Sequence, residues 1–65
     1  MIQAVDRAVQ VLLALQGTRR LGVTELANRL GLAKGTVHGL LETLASRSMV
    51  EQDPDTGKYM LGPAV

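Results

Sequence analysis

The chain offers little to a catalyst. It holds one histidine, His38, and no cysteine, and no pair of its carboxylates is held on one helical face, so convergent groups for acid–base or nucleophilic chemistry are missing. Asp53, Asp55 and Gly57 resemble the start of a calcium loop, but that loop wants an oxygen ligand where Gly57 stands and a bidentate glutamate where Ala64 stands. The stretch from Gly31 to Gly35 contains Lys34 but lacks the Gly-Lys-Ser/Thr ending that seats nucleotide phosphates. The residues therefore read as a non-enzyme with no catalytic residue, no cofactor and no metal. What remains is charge. Between Arg19 and Met49 stand five cations (Arg19, Arg20, Arg29, Lys34, Arg47) against two anions (Glu25, Glu42), whereas Val50 to Lys58 carries one cation against Glu51, Asp53 and Asp55. The basic middle suits a polyanionic partner. Whole-chain charge does not decide this, because a net charge of +1 and a pI of 8.3 fall short of the pI above roughly 9 of a dedicated nucleic-acid-binding domain.

The elements that must position these groups fit in one domain, residues 1–65, since autonomous domains begin at about 50 residues. With 46% hydrophobic and 20% charged residues the chain is too apolar for disorder and too broken by charge for a membrane span. Met1 is followed by Ile2, Gln3 and Asp6 rather than a basic, greasy signal segment, so no membrane partner and a cytoplasmic location are expected. Without cysteine, Phe or Trp, and with Tyr59 as the one aromatic, the core is expected from Leu, Val, Ile, Met and Ala. A chain of this size supports only about 3–5 kcal/mol of stability.

Val5, Ala8, Val9 and Leu12 recur at helical spacing and predict a helix over 4–16, stopped by Gly17. A second line, Ala4, Ala8, Val11 and Leu15, widens the stripe beyond one small core. It fits a helix wedged between two others, or one whose extra flank meets a second copy. After a basic connection over Thr18 to Leu21, Gly22 is an acceptable N-cap, with Glu25 placed to reach back to its N–H. Leu26, Ala27 and Leu30 give a second helix of about two turns, ending at Gly31. Val37, Leu40, Leu41 and Leu44 define a third from about Lys34 to Ser46, with Ala33 where a capping Ser or Asp is expected. Two helices joined by so short a glycine corner make a helix-turn-helix candidate. Met49–Gln52 and Lys58–Leu61 then flank Asp53-Pro54-Asp55-Thr56-Gly57 as a β-hairpin, and Gly62-Pro63 breaks the second strand.

This order is that of a winged helix-turn-helix: α+β, mostly α, three helices followed by a β-hairpin wing. The sequence resembles one family, the N-terminal DNA-binding domain of IclR-type (isocitrate lyase regulator) transcription factors. The resemblance rests on AVDRAVQVLLAL in the first helix, TELANRLGLAKGTVHGLLETL across the motif and VEQDPDTGKYMLGP in the wing, and covers nearly the whole chain. It implies a bacterial repressor or activator, dimeric on a (pseudo)palindromic operator in double-stranded DNA, with the third helix in the major groove. It also implies a longer parent whose C-terminal domain, joined after Leu61-Gly62-Pro63, binds a small-molecule effector and supplies most of the homodimer contact. The family commonly carries serine at position 35, arginine at 39, a helix-ending glycine at 48 and serine or proline at 33; here these are Gly35, Gly39, Ser48 and Ala33.

The third helix turns Gly35, Gly39, Glu42 and Ser46 away from its apolar line. Direct readout then falls to the flanking Thr36, His38 and Thr43, with Lys34 suited to a phosphate and Gly35 and Gly39 open to close backbone approach. Further phosphate candidates are Thr24, Arg19, Arg20, Arg47 and, on the wing, Lys58; Asp53 and Asp55 shape the wing turn. The rival reading is a winged helix used as a protein-interaction module with weak or no DNA binding, which the two glycines and Glu42 on the presumed reading face would suit.

Overall fold

The computed structural model describes residues 1–17 and 19–65; Thr18, placed by sequence in the basic connection, lies outside them. Three helices and a hairpin follow in the expected order: α1 (Gln3–Ala14), α2 (Val23–Leu30), α3 (Lys34–Ser46), β1 (Val50–Gln52) and β2 (Tyr59–Leu61). The strands pair antiparallel with Val50 opposite Leu61 and Gln52 opposite Tyr59.

Helix ends follow from local chemistry. Gly17 and Gly31 take left-handed φ values of 75° and 66°, which a residue without a Cβ adopts freely. Beyond α2, the Leu32 N–H reaches back to the Ala27 carbonyl at 3.0 Å. The start of α2 is held as expected, with Gly22 N–H donating to Glu25 Oε1 at 3.0 Å. Ala33 offers α3 no side-chain cap. The far end of α3 closes by a Schellman pair, Met49 N–H to Leu44 O and Ser48 N–H to Ala45 O, both 3.0 Å. The left-handed position of that motif, φ 60°, is filled by Ser48 rather than glycine.

The core joins Val11 and Leu15 of α1, Leu26 and Ala27 of α2, Val37 and Leu41 of α3, Val50 of β1, Tyr59 of β2 and Leu21 of the connection. Two expectations change here. Tyr59 is itself a core residue, while Ile2, the one isoleucine, is exposed, so the core is Leu, Val, Ala and one aromatic ring. The two apolar lines of α1 also have different fates. Val11 and Leu15 of the second line are fully buried, whereas Val5 and Val9 of the first stay exposed along a groove that Leu40 and Leu44 of α3 line from the other side. Periodicity gave the width of the stripe but not which edge faces inward. Helix α1 packs on both α2 and α3 and still leaves an apolar flank uncovered.

Leu21 is more than a connector. Its N–H and carbonyl exchange bonds of 3.0 and 2.8 Å with Tyr59, adding a one-residue third strand to β2. Gly62 is more than a strand breaker. Its N–H donates to Met49 O at 2.9 Å, and a Cβ there would overlap the Ser48 carbonyl and lie 3.1 Å from the Met49 carbonyl carbon. The chain after β2 is thus laid directly on the α3–β1 joint.

Candidate nucleic-acid interface

Helix α3 is held from behind by Val37 and Leu41, both fully buried, with Leu40 and Leu44 half-buried beside them. A 3.6-residue period then forces Gly35, Gly39, Glu42 and Ser46 outward, and all four are exposed. A Cβ added at Gly35 or Gly39 would meet nothing within 4 Å. Neither glycine is demanded by packing, so the middle of the outward face is a strip of bare backbone. Lys34 and His38, four residues apart, border one side of the strip, and His38 Nδ1 lies 3.2 Å from Oε1 of Glu42 within it. Thr36 and Thr43 border the other side, both exposed.

The hydroxyls on α3 are not equally available. Thr43 Oγ1 donates to the Gly39 carbonyl at 3.1 Å, and Thr43 also lines the groove toward α1, so it sits at the rim of the outward face. Ser46 Oγ donates to the Thr43 carbonyl at 2.6 Å. Both spend their proton on the helix itself. Thr24, the second residue of α2, is exposed.

The predicted cations divide into two sets. Lys34, the first residue of α3, Arg47 just past its end and Arg19 in the connection are exposed, with no carboxylate in ion-pair range among the described residues. Arg29, in the last turn of α2, belongs with them, although sequence reasoning gave it no site role. Arg20 and Lys58 are engaged elsewhere. Arg20 Nη1 lies 2.9 Å from Asp53 Oδ2, and Lys58 Nζ lies 3.7 Å from Glu25 Oε1. The Leu21–Tyr59 bridge brings both contacts about, because it sets Arg20 and Gly22 on one side of the seam and Lys58 on the other.

Two carboxylates shift accordingly. The Gly22 N–H, and after it the Lys58 charge, hold Glu25 below the usual carboxylate range. Asp53 is also lowered, chiefly by the Asp55 N–H that Oδ1 accepts at 2.9 Å; partial burial opposes this, and the Arg20 charge adds to it. At 8% exposure Asp53 is the one buried polar residue among those described, which fits its role as former of the wing turn. Neither long-range ion pair follows any spacing rule, and the sequence marks Thr18 to Leu21 only as a basic connection.

A helix with its front stripped bare, held by a second helix and followed by a hairpin, is the geometry of a DNA-reading module. The family description "IclR helix-turn-helix domain" matches residues 4–54. The chain belongs to this family. Similar proteins include the glycerol operon regulatory proteins of Streptomyces coelicolor and Streptomyces griseus, 52% and 50% identical over 62 residues that make up 94% of this chain. The crystal structure of an IclR family transcriptional regulator from Brucella abortus superposes with a TM-score of 0.90 at 34% identity, covering 98% of this chain and 25% of that one. The IclR-type chain thus spans about a quarter of the length of these relatives. They are regulators of transcription and not enzymes, and the fold, three helices with a two-stranded antiparallel wing, is that of their helix-turn-helix DNA-binding domain. Among the described residues no helix is long and apolar enough to cross a membrane.

Proposed function

We propose that residues 1–65 are the operator-binding module of a longer bacterial regulator, with α3 entering the major groove of duplex DNA. The observation that carries this reading is the outward face of α3: exposed, free of packing demands at Gly35 and Gly39, and bounded by Lys34 and Arg47, which have no carboxylate partner among the described residues. Lys34, Arg47, Arg19 and Thr24 contact phosphates, with Arg20 and Lys58 joining once their carboxylate partners are exchanged for phosphate; Thr36, His38 and the rim residue Thr43 reach base edges. The parent is a cytoplasmic homodimer that represses or activates from a (pseudo)palindromic site, and its effector binds outside this domain. The exposed apolar flank of α1, with Ile2, Val5, Val9 and Leu13, supports the contact between two copies.

The test is a fluorescence-anisotropy titration at two salt concentrations, using a mixed-sequence duplex and, following the names of the Streptomyces relatives, a glycerol-operon control region. Each phosphate contact contributes about −0.9 to the slope of log K against log salt, so Lys34→Ala is expected to weaken binding and flatten that slope by about one contact. Gly39→Arg is expected to strengthen binding, because it adds a cation where the added side chain meets open space. Absence of binding at low salt would sink the proposal in favour of a protein-interaction module.

A further inference from the structure

The centre of the α3 face presents one long polar side chain. Glu42 is 68% exposed at its side chain and shares that centre with Gly35, Gly39 and Ser46. The glycines offer a base no side chain, and the Ser46 proton is committed to the Thr43 carbonyl. Thr43, nearest on the rim, has committed its own to Gly39. With bare backbone around it, a groove edge approaches α3 closely, and the first side chain it meets at the centre is a carboxylate.

An ionised carboxylate only accepts hydrogen bonds. In the major groove the donors it can accept from are the amino groups of cytosine N4 and adenine N6. Adenine sets its N7 lone pair beside N6, which repels a second negative centre. Cytosine presents N4 with no acceptor beside it on the same base. The contact at His38 Nδ1 uses Oε1 and leaves Oε2 free to meet the base. Away from such a donor, Glu42 faces only acceptors and phosphates, so the same group that rewards one base penalises the rest.

We propose that Glu42 is a specificity-determining residue of this domain, accepting from cytosine N4 in the major groove, with His38 as the residue that positions it. The proposal rests on the DNA-binding reading above. Because Glu42 is exposed and absent from the core, its substitution leaves the fold intact, which circular dichroism checks.

The experiment is selection of bound duplexes from a randomised pool by the wild-type protein, followed by anisotropy titration of the selected duplex and its single-base variants. Wild type is expected to prefer cytosine at one position by about fivefold or more, the scale of a good base contact. Glu42→Ala should bring that preference below about twofold while affinity for mixed-sequence DNA holds or rises, since a negative charge has left the groove. Glu42→Gln, which both donates and accepts, should move the preference toward adenine. His38→Ala should weaken the cytosine preference at the Glu42 position, and His38→Gln, which keeps an N–H group near Glu42, should retain it. An unchanged base profile in Glu42→Ala overturns the role of Glu42. An unchanged preference in His38→Ala overturns the positioning role alone. Failure of the wild type to bind any duplex, even at low salt, overturns the DNA-binding reading itself and is seen before any variant is made.

Discussion

Helix α3 and the wing spend their polar groups differently. On α3 the cations at both ends, Lys34 and Arg47, have no carboxylate partner among the described residues. In the wing Asp53 and Lys58 are paired with groups of the body, and Gln52 and Thr56 bond within the hairpin itself. Asp53 takes Arg20 and the Asp55 N–H, Lys58 faces Glu25, Gln52 Nε2 donates to the Gly57 carbonyl at 3.0 Å, and Thr56 Oγ1 accepts from the Lys58 N–H at 3.2 Å. The difference teaches how a chain this small can have a recognition surface at all. Its hairpin has only three residues per strand, too little for independent stability, so two of the wing's charged side chains, Asp53 and Lys58, are used to fasten it to the body. The helix is secured by its aliphatic back and can leave the cations at its two ends without carboxylate partners among the described residues.

The seam between the two regions offers the most severe way to break that arrangement. Gly62 lies on the Ser48–Met49 backbone, where a Cβ finds carbonyl atoms and no flexible side chain to displace. Gly62→Ala is expected to cost about 1–3 kcal/mol, the range for overpacking, in a domain of only about 3–5 kcal/mol. Thermal unfolding followed by circular dichroism should show a large fall in Tm. An unchanged Tm would mean that the chain after β2 does not rest on the α3–β1 joint.

The same joint sharpens the comparison in the other direction. Ser48 closes α3 at φ 60°, a conformation that costs an L residue roughly 1–2 kcal/mol and glycine almost nothing. Glycine's extra freedom in the unfolded chain returns part of this, so Ser48→Gly is expected to stabilise the domain by about 1 kcal/mol. If a melt shows no gain, the hydroxyl does something at that corner that the backbone argument omits. DNA binding should be unaffected, since Ser48 lies beyond the end of α3 and is none of the proposed contacts.

How much of this was legible beforehand depends on whether a feature is local. The span of α3 was read to the residue, because its apolar period, its lack of a cap and its turn are contained in a dozen positions. The half-cap at Glu25 and the wing turn were legible for the same reason. What stayed hidden was non-local. The Leu21–Tyr59 bridge joins residues far apart in sequence, and once it forms it pulls Arg20 and Lys58 into ion pairs. These two looked like Lys34 from sequence, as exposed cations in a basic or mixed stretch. On α1 the hidden quantity was an angle: two overlapping apolar lines fit the pattern equally, and only the packing of α2 and α3 chose Val11 and Leu15. The close approach of Gly62 had no signal beyond the glycine itself.

The smallest expected effect concerns what fastens the wing. Asp53 and Glu25 both have carboxyls held below their ordinary values, Asp53 first by the Asp55 N–H and Glu25 first by the Gly22 N–H, with Arg20 and Lys58 adding to each. A carboxyl whose folded pKa is depressed contributes stability that is fully present above its unfolded value, 3.8 for Asp53 and 4.5 for Glu25. That contribution is lost as pH falls from there through the lower folded value. The domain should therefore keep its Tm on the neutral side of that window and lose stability progressively below it. Asp53→Asn should lower Tm at neutral pH, where the carboxylate's bonds are removed, and flatten the acid limb. Glu25→Gln should do the same more weakly, because its pair with Lys58 is longer and half-exposed and is screened by water and salt. If the acid limb of Asp53→Asn runs parallel to that of the wild type, the wing is secured by the Leu21–Tyr59 bridge and the core, and its ion pairs are incidental to the fold.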